Sequence, residues 1–528
     1  MKITRLTLLL LICLFMVEPI TFAKGNALPF QDISQSYAKE AILYLHEKNI
    51  MNGTSAEHFS PRQAMTRAEL ATTLVRLLHM EPVTPAVPTY TDVKKQAWYY
   101  ETVQAASELG LVTGNGNGTF SPAQSITRQE AAALIIRALK EQTGAYGLSS
   151  FNDRSSIAEW ARPYVATAAG LGLMEGSDGA FHPNQALTRQ EAAMLLYRVL
   201  QNEKWQQTIN SKAPSSIQLG WQYGQTTEEY ERSISKSNVN VLSPRWFFLN
   251  QDGSMASHVD TSLIGWARQN NKQIWAMVGN RSLQESTHAM LSSKQEATNF
   301  IAQLKAAVVK YGLQGINLDF ENVAPQDRDA MTAFTAELAT QLHKVGAKLS
   351  VNVSPDWNSD WTEAFDYASL GSSSDYIVLM GYDEHWSGSP NPGSVSSLPW
   401  LEHGLDTLLK EVPASKVILA VPLYNRDWTV NSKTGAVTSE DITLTEQNTR
   451  IQKFGSGLNW KKELGQYKAV YQANGIAHQL WLEETRSLSQ KYKMASERGI
   501  AGFAYWHIGG EFPAIWPSLR NMAKYMAQ

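Results

Sequence analysis

Eight short apolar runs alternate with helical patterns between residues 217 and 528, and few architectures accommodate that order. The runs are 217–221, 239–243, 274–279, 315–321, 348–353, 376–382, 417–423 and 499–506. An eightfold strand–helix alternation predicts a (β/α)8 barrel, in which each parallel strand returns through a helix. An open doubly wound sheet would use the same alternation, but no Gly-rich phosphate loop follows the first run. The fourth run, Gly315-Ile-Asn-Leu-Asp-Phe-Glu321, places Asn317, Asp319 and Glu321 at every second position. As a strand it points these three to one side and Ile316, Leu318 and Phe320 to the other. An acid pair facing a barrel interior carries a large desolvation cost, which a solvated edge strand would avoid.

In such barrels the functional groups gather at the C-terminal ends of the strands. Those ends carry Trp221 and Tyr223, Trp246, Asn280, Asp319 with Glu321, Asn352 and Asp356, Tyr382 with Asp383, Tyr424 with Arg426, and Trp506. Carboxylates, amides and large rings thus converge on one face. No Cys and no His cluster at ligand spacing lies among them, so neither metal nor cofactor is expected; His385 and His507 read as packing or hydrogen-bonding groups.

The first two hundred residues hold a repeat of a different kind. Thr66-Arg-Ala-Glu69, Thr127-Arg-Gln-Glu130 and Thr188-Arg-Gln-Glu191 recur at a period of sixty-one, as do Phe59, Phe120 and Phe181, each two residues before a Pro. Asp32, Asp92 and Asp153 each follow an aromatic residue at the start of a unit. Thr followed three residues later by Glu predicts a capping box, which puts Arg67, Arg128 and Arg189 in first helical turns. A guanidinium beside free helix N–H groups is a seat for a carboxylate, unless it simply pairs with a neighbouring Asp.

Bulk properties narrow the class. With 528 residues the chain exceeds one core and predicts about two to four domains. A net charge of -3 gives no reason to expect nucleic acid as a partner. Residues 1–23 read as a secretory signal: Lys2 and Arg5, an apolar run, then small residues flanking Phe22. The one cysteine, Cys13, lies inside that run; bulky Ile12 before it argues against a lipid-attached cysteine, and the mature chain would hold no disulfide. No later segment has the length and apolarity of a membrane span.

Two resemblances sharpen these readings. The repeats resemble S-layer homology domains, which hold bacterial surface proteins to secondary cell-wall polymers. That resemblance implies an all-α three-module prism over 27–85, 86–146 and 147–205, with grooves for an acidic, pyruvylated type of polymer. Arg67, Arg128 and Arg189 would clamp its carboxylate, with Asp32, Asp92, Asp153, Trp98 and Trp160 nearby; Tyr37 stands in the first unit where Trp is usual. A polar linker is expected over 206–216.

Residues 217–528 resemble glycoside hydrolase family 18. The family's Asp-x-x-Asp-x-Asp-x-Glu frame reads here as Gln314, Asn317, Asp319, Glu321, with the first two acids replaced by amides. Leu379-Met-Gly-Tyr-Asp383 and Ala504-Tyr-Trp506 match its sixth- and eighth-strand motifs. Asp319-Phe-Glu-Asn322, Tyr382-Asp-Glu-His385, Ser397-Leu-Pro-Trp400 and Val421-Pro-Leu-Tyr424 are similar to the spore and cell-wall peptidoglycan N-acetylglucosaminidase branch. Asp319 and Glu321, two apart on one strand, are too close to flank a sugar from opposite faces, as the two-carboxylate mechanism requires. The resemblance implies instead that the substrate's own 2-acetamido oxygen is the nucleophile. Glu321 would be acid and base, Asp319 and Tyr382 would hold the acetamido group, and Trp506 would floor the sugar. Asn317, Asp383, Tyr424, Arg426 and Trp221 would line the substrate site. Three functions stay open: an anchored peptidoglycan hydrolase, a secreted surface chitinase, and a non-catalytic glycan-binding surface protein.

Overall fold

A computed structural model describes residues 28–528 apart from 214, 358, 432 and 456; the expected signal 1–23 and Cys13 lie outside the described residues. Six helices build the N-terminal third: α1 (Lys39–Glu47), α2 (Arg67–Leu77), α3 (Tyr100–Glu108), α4 (Arg128–Ala138), α5 (Arg162–Gly170) and α6 (Arg189–Gln201). Thr66, Thr127 and Thr188 each close the capping box that the motif predicts, satisfying N-terminal donors of α2, α4 and α6. The chain closes in a ring, because α2 packs on α3, α4 on α5, and α6 returns to α1.

The arginines lock that ring. Arg67 pairs with Glu130 at 3.1 Å, Arg128 with Glu191 at 2.9 Å, and Arg189 with Glu69 at 3.1 Å, so each module grips the next and the third grips the first. Each fork also donates to two backbone carbonyls: Phe120 and Thr113, Phe181 and Glu175, Phe59 and Asn52. Each lies over a Phe ring, 4.6–5.0 Å from its centroid. Asp32, Asp92 and Asp153 use both carboxylate oxygens on the backbone N–H groups that follow, at Phe59 and Ser60, Phe120 and Ser121, Phe181 and His182.

The barrel strands are β1 (Ile217–Gln222), β2 (Val241–Leu249), β3 (Gln273–Gly279), β4 (Gly315–Asp319), β5 (Lys348–Val353), β6 (Tyr376–Met380), β7 (Val417–Pro422) and β8 (Gly502–Trp506). Every neighbouring pair is parallel, and β8 pairs back to β1, which closes the sheet. Leu219, Trp221, Trp275, Met277, Val378 and Ile418 fill the interior, while Ile316, Leu318 and Phe320 face the helical shell.

Three features go beyond the sequence expectations or depart from them. Between β7 and β8 the chain builds a five-stranded antiparallel sheet (424–430, 437–443, 457–461, 466–473 and 476–482) with a helix, Leu444–Lys453. A buried pair, Glu483 with Lys491, and the bond from Gln466 to Glu483 tie this sheet to the helix Thr485–Ser496. The expected linker is helical at its start: α7 (Glu203–Ile209) buries Trp205 and Ile209, and the Trp205 indole donates to Glu141 at 2.6 Å.

The prism also docks on the barrel's last helix, Ile515–Ala527. Arg520 forks onto Glu81 at 2.5 and 2.7 Å, Asn521 exchanges two bonds with the Glu81 backbone, and the Tyr525 hydroxyl donates to the Arg137 carbonyl. In the same seam Ser518 donates to Glu108 at 2.6 Å. Burial lifts the Glu108 carboxyl to about 8. A carboxyl whose acidity falls on folding contributes stability below its unfolded value, and loses it as pH rises toward the folded one. Scanning calorimetry of the whole chain is therefore expected to show Tm falling by several degrees from about pH 5 to about pH 8. Glu108→Gln is expected to flatten that fall.

Candidate active site

Gly315 opens β4 where a side chain cannot fit: a Cβ there would sit 2.8 Å from the Trp275 ring and 2.9 Å from the Lys348 carbonyl. That close approach brings Asn317 into the barrel centre, where it is fully buried. Its carbonyl accepts from the Trp221 indole at 2.8 Å, and its amide donates to Ser350 at 2.9 Å and Asn352 at 2.7 Å. Asn352 in turn donates to Asp319 at 2.7 Å. Trp221, Asn317, Asn352 and Asp319 thus form one hydrogen-bonded line from barrel core to barrel mouth.

Glu321 stands just beyond the end of β4. Asn280, at the end of β3, grips its backbone from both sides, donating to its carbonyl at 2.7 Å and accepting from its N–H at 3.0 Å. Among the described residues the Glu321 carboxyl makes no hydrogen bond of its own, so it is presented to the cleft. Burial raises its pKa, and the charges of Asp319 and Asp383 raise it further against the opposing pull of Arg245. Burial raises Asp319 as well, offset by the Asn352 bond and by Arg245.

Tyr382 lies beside this pair. It stacks on Trp506 with centroids 6.4 Å apart, meets Tyr424 edge-on at 6.2 Å, and has its ionisation pushed far up by burial and by the three nearby carboxylates. Trp506 also packs against Trp221 and Tyr223, forming an aromatic floor. Asp383 takes a left-handed backbone, φ 64°, which Asp tolerates better than bulkier residues. Tyr424 at 2.6 Å and Arg426 at 2.8 Å hold its carboxylate from the inserted sheet. The expected barrel residues Glu321, Asp319, Tyr382, Asp383, Trp506, Tyr424 and Arg426 are therefore brought to one mouth, with Trp221 and Asn317 below it.

Gln314 and Trp246 are not part of it. Gln314 spends its side chain on the Ile274 N–H and the Gly312 carbonyl at the opposite end of β4. Trp246 was expected at the mouth, but strand alternation turns Val241, Ser243 and Arg245 inward, Arg245 toward the acids, and sends Trp246 into the outer shell. The pairing of β2 with β3 then slips between Arg245 and Phe247, a bulge that leaves Phe247 on the outer side beside Trp246. Trp357, Trp361 and Trp386 are further rings that the sequence reading passed over. They are 40–57% exposed in loops after β5 and β6, and only their rank among large exposed side chains marks them out. His385 and His507 bond to backbone carbonyls at Ser394 and Ile508.

The prism carries its own grooves. One of about 450 Å³ is lined by Arg189, Glu69, Arg76, Thr73 and Trp98; a second of about 370 Å³ is lined by Arg128, Glu191, Arg198 and Tyr37. Trp98, Trp160 and Tyr37 are each at least half exposed. Arg67, Arg128 and Arg189, expected as an open clamp, commit most of each fork to neighbouring modules and are at most 8% exposed. Arg76, Arg137 and Arg198 form a second arginine series at the same period of sixty-one, a signal present in the sequence and not used.

Comparison with known proteins agrees with this layout. A family model described as glycosyl hydrolases family 18 matches residues 223–511, and one described as S-layer homology domain matches 29–71, 89–132 and 150–193. A Bacillus subtilis protein described as an uncharacterized glycosylase is 28% identical over 323 residues, covering 59% of this chain and 92% of its own. The cortical fragment-lytic enzyme of Bacillus cereus is 29% identical over 281 residues, 51% of this chain and 65% of its own length. The crystal structure of the Bacillus cereus spore cortex-lytic enzyme superposes with a TM-score of 0.55 at 25% identity, covering 59% of this chain and 75% of that one.

The grip of Asn280 on Glu321 can be measured directly. Asn280→Ala removes both bonds to the Glu321 backbone and leaves its N–H and C=O without their partner, so denaturant unfolding is expected to show a loss of about 2–4 kcal/mol.

Proposed function

The chain belongs to the glycosyl hydrolases of family 18 and carries three S-layer homology domains, and we propose that it is a cell-surface-anchored glycosidase hydrolysing β-1,4 linkages of N-acetylglucosamine in peptidoglycan by substrate-assisted retaining catalysis. The observation that carries this reading is the division of labour between the two carboxyls. Asp319 is held by Asn352, whereas the Glu321 carboxyl, without a hydrogen bond among the described residues, is raised in pKa and open to the cleft.

The chemistry follows from those environments. Glu321, protonated, donates its proton to the glycosidic oxygen as the bond to the anomeric carbon breaks. The acetamido carbonyl oxygen of the same sugar attacks that carbon, forming a cyclic oxazolinium. Asp319, ionised, accepts a hydrogen bond from the acetamido N–H and balances the new positive charge. The Tyr382 hydroxyl, which has no protein partner among the described residues, donates to the acetamido oxygen and keeps it in line. Glu321, now ionised, takes a proton from water as that water opens the ring from the face the leaving group vacated. Both inversions together retain the anomer.

The surrounding residues suit a polysaccharide. Trp506 offers a flat floor to the sugar at the bond, and Tyr223, Trp357, Trp361 and Trp386 offer rings for sugars further along. Support for peptidoglycan comes from the cortex-lytic relatives and from the motif variants shared with that branch. The grooves of the prism would hold an acidic cell-wall polymer, pyruvylated sugars included, on Trp98, Arg76 and the outward edge of Arg189, with Trp160, Tyr37 and Arg128 in the equivalent places. A signal at 1–23 would deliver the protein outside the cell.

Glu321→Gln is expected to remove nearly all turnover of purified sacculi while sparing glycan binding, and Asp319→Asn to cost on the order of a hundredfold in kcat. Catalysis needs Glu321 protonated and Asp319 ionised, so the pH profile should be a bell whose alkaline limb belongs to Glu321 and whose acid limb belongs to Asp319. Both limbs lie above ordinary carboxyl values, because both groups are raised. Proton NMR of fresh products should show the retained β-anomer. Inverted products, or equal cleavage of glucose polymers without an acetamido group, would overturn the mechanism; faster release from colloidal chitin than from sacculi would overturn the substrate.

A further inference from the structure

Arg245 and Arg281 stand on the β2–β3 side of the mouth, opposite the Asp383–Arg426 pair. The Arg245 guanidinium lies 4.9 Å from the Tyr223 ring centroid and 5.4 Å from that of Phe248, and Arg281 lies 4.6 Å from the same Phe248 ring. Arg245 Nε is buried with no hydrogen-bond partner. Among the described residues neither arginine closes an ion pair. Arg426, across the cleft, is by contrast held by Asp383 and Asp441, and the prism arginines by Glu130, Glu191 and Glu69. Two cations sharing one aromatic ring repel each other in a partly desolvated corner, and a bound anion relieves that repulsion.

We propose that Arg245 and Arg281 form a subsite for a carboxylate of the glycan, carried on the lactyl substituent of a sugar freed of its stem peptide, next to the bond cleaved. A guanidinium fork takes a planar carboxylate bidentately, and the buried Phe248 ring supplies an apolar wall beside both. The inference rests on the reading of this cleft as a peptidoglycan glycosidase and adds to it the feature of the substrate that is recognised. A neutral chitin chain has nothing to place there. The rival account, in which Arg245 acts only as a counter-charge to Asp319 and Glu321, predicts no dependence on a substrate carboxylate.

The test is calorimetric binding to the Glu321→Gln protein. The probes are a peptide-free tetrasaccharide of alternating N-acetylglucosamine and N-acetylmuramic acid with free lactyl carboxylates, and the same compound with those carboxylates amidated. The free acid is expected to bind about tenfold or more tightly. Adding Arg281→Gln, an exposed position, or separately Arg245→Gln, should bring the ratio to within about twofold. Equal affinities in the Glu321→Gln parent, or a preference that survives both substitutions, would overturn the subsite. Affinities report on it whether or not the wild-type protein turns over either compound; absence of all turnover would sink only the catalytic reading.

Discussion

The hydrogen-bonded line of Trp221, Asn317, Asn352 and Asp319 is the constraint around which the barrel is organised. A fully buried polar residue at the barrel centre is tolerable only when its donors and acceptor are all used, and each orphaned group would cost about 1–3 kcal/mol. Asn317 meets that demand because an amide both accepts, from Trp221, and donates, to Ser350 and Asn352. An ionised carboxylate of the same shape could only accept. The amide that departs from the family's frame therefore suits this interior, and it leaves Asp319 as the single titrating group at the end of the line.

The same economy of polar groups holds the prism together. Three arginines that could have been left facing solvent are turned inward, each joining a Glu of the following module to two carbonyls and a Phe ring. The Thr–Arg–x–Glu motif thus serves two modules at once: its Thr and Glu cap one helix, while its Arg reaches the Glu of the next. Substituting one arginine would orphan a half-buried carboxylate in a different repeat.

The readable parts of this molecule are those whose cause is local. Capping boxes, the sixty-one-residue period and the two-residue alternation of β4 arise from neighbours in sequence, and the structure reproduces all of them. Trp246 lies one residue out of phase with the inward-facing Val241, Ser243 and Arg245, so alternation alone sends it to the shell; the bulge that turns Phe247 outward as well has no signal in Pro244-Arg-Trp-Phe247. The inserted sheet is faint in the sequence because outer strands such as Val437–Thr443 are half exposed and interrupted by charges, which blurs their apolar alternation. Docking of prism on barrel was equally hidden: Glu81 meets Arg520 and Glu108 meets Ser518 only once segments far apart in the chain come together.

That docking bears on how far such a protein can work. The helix Ile515–Ala527 belongs to the barrel in sequence yet is clasped by the helical prism, and the connecting chain at 203–209 is itself packed down. A cleft mounted in this way travels with its support instead of ranging around it on a leash. Its catchment is set by the protein's own dimensions, and covering a large surface would demand many copies.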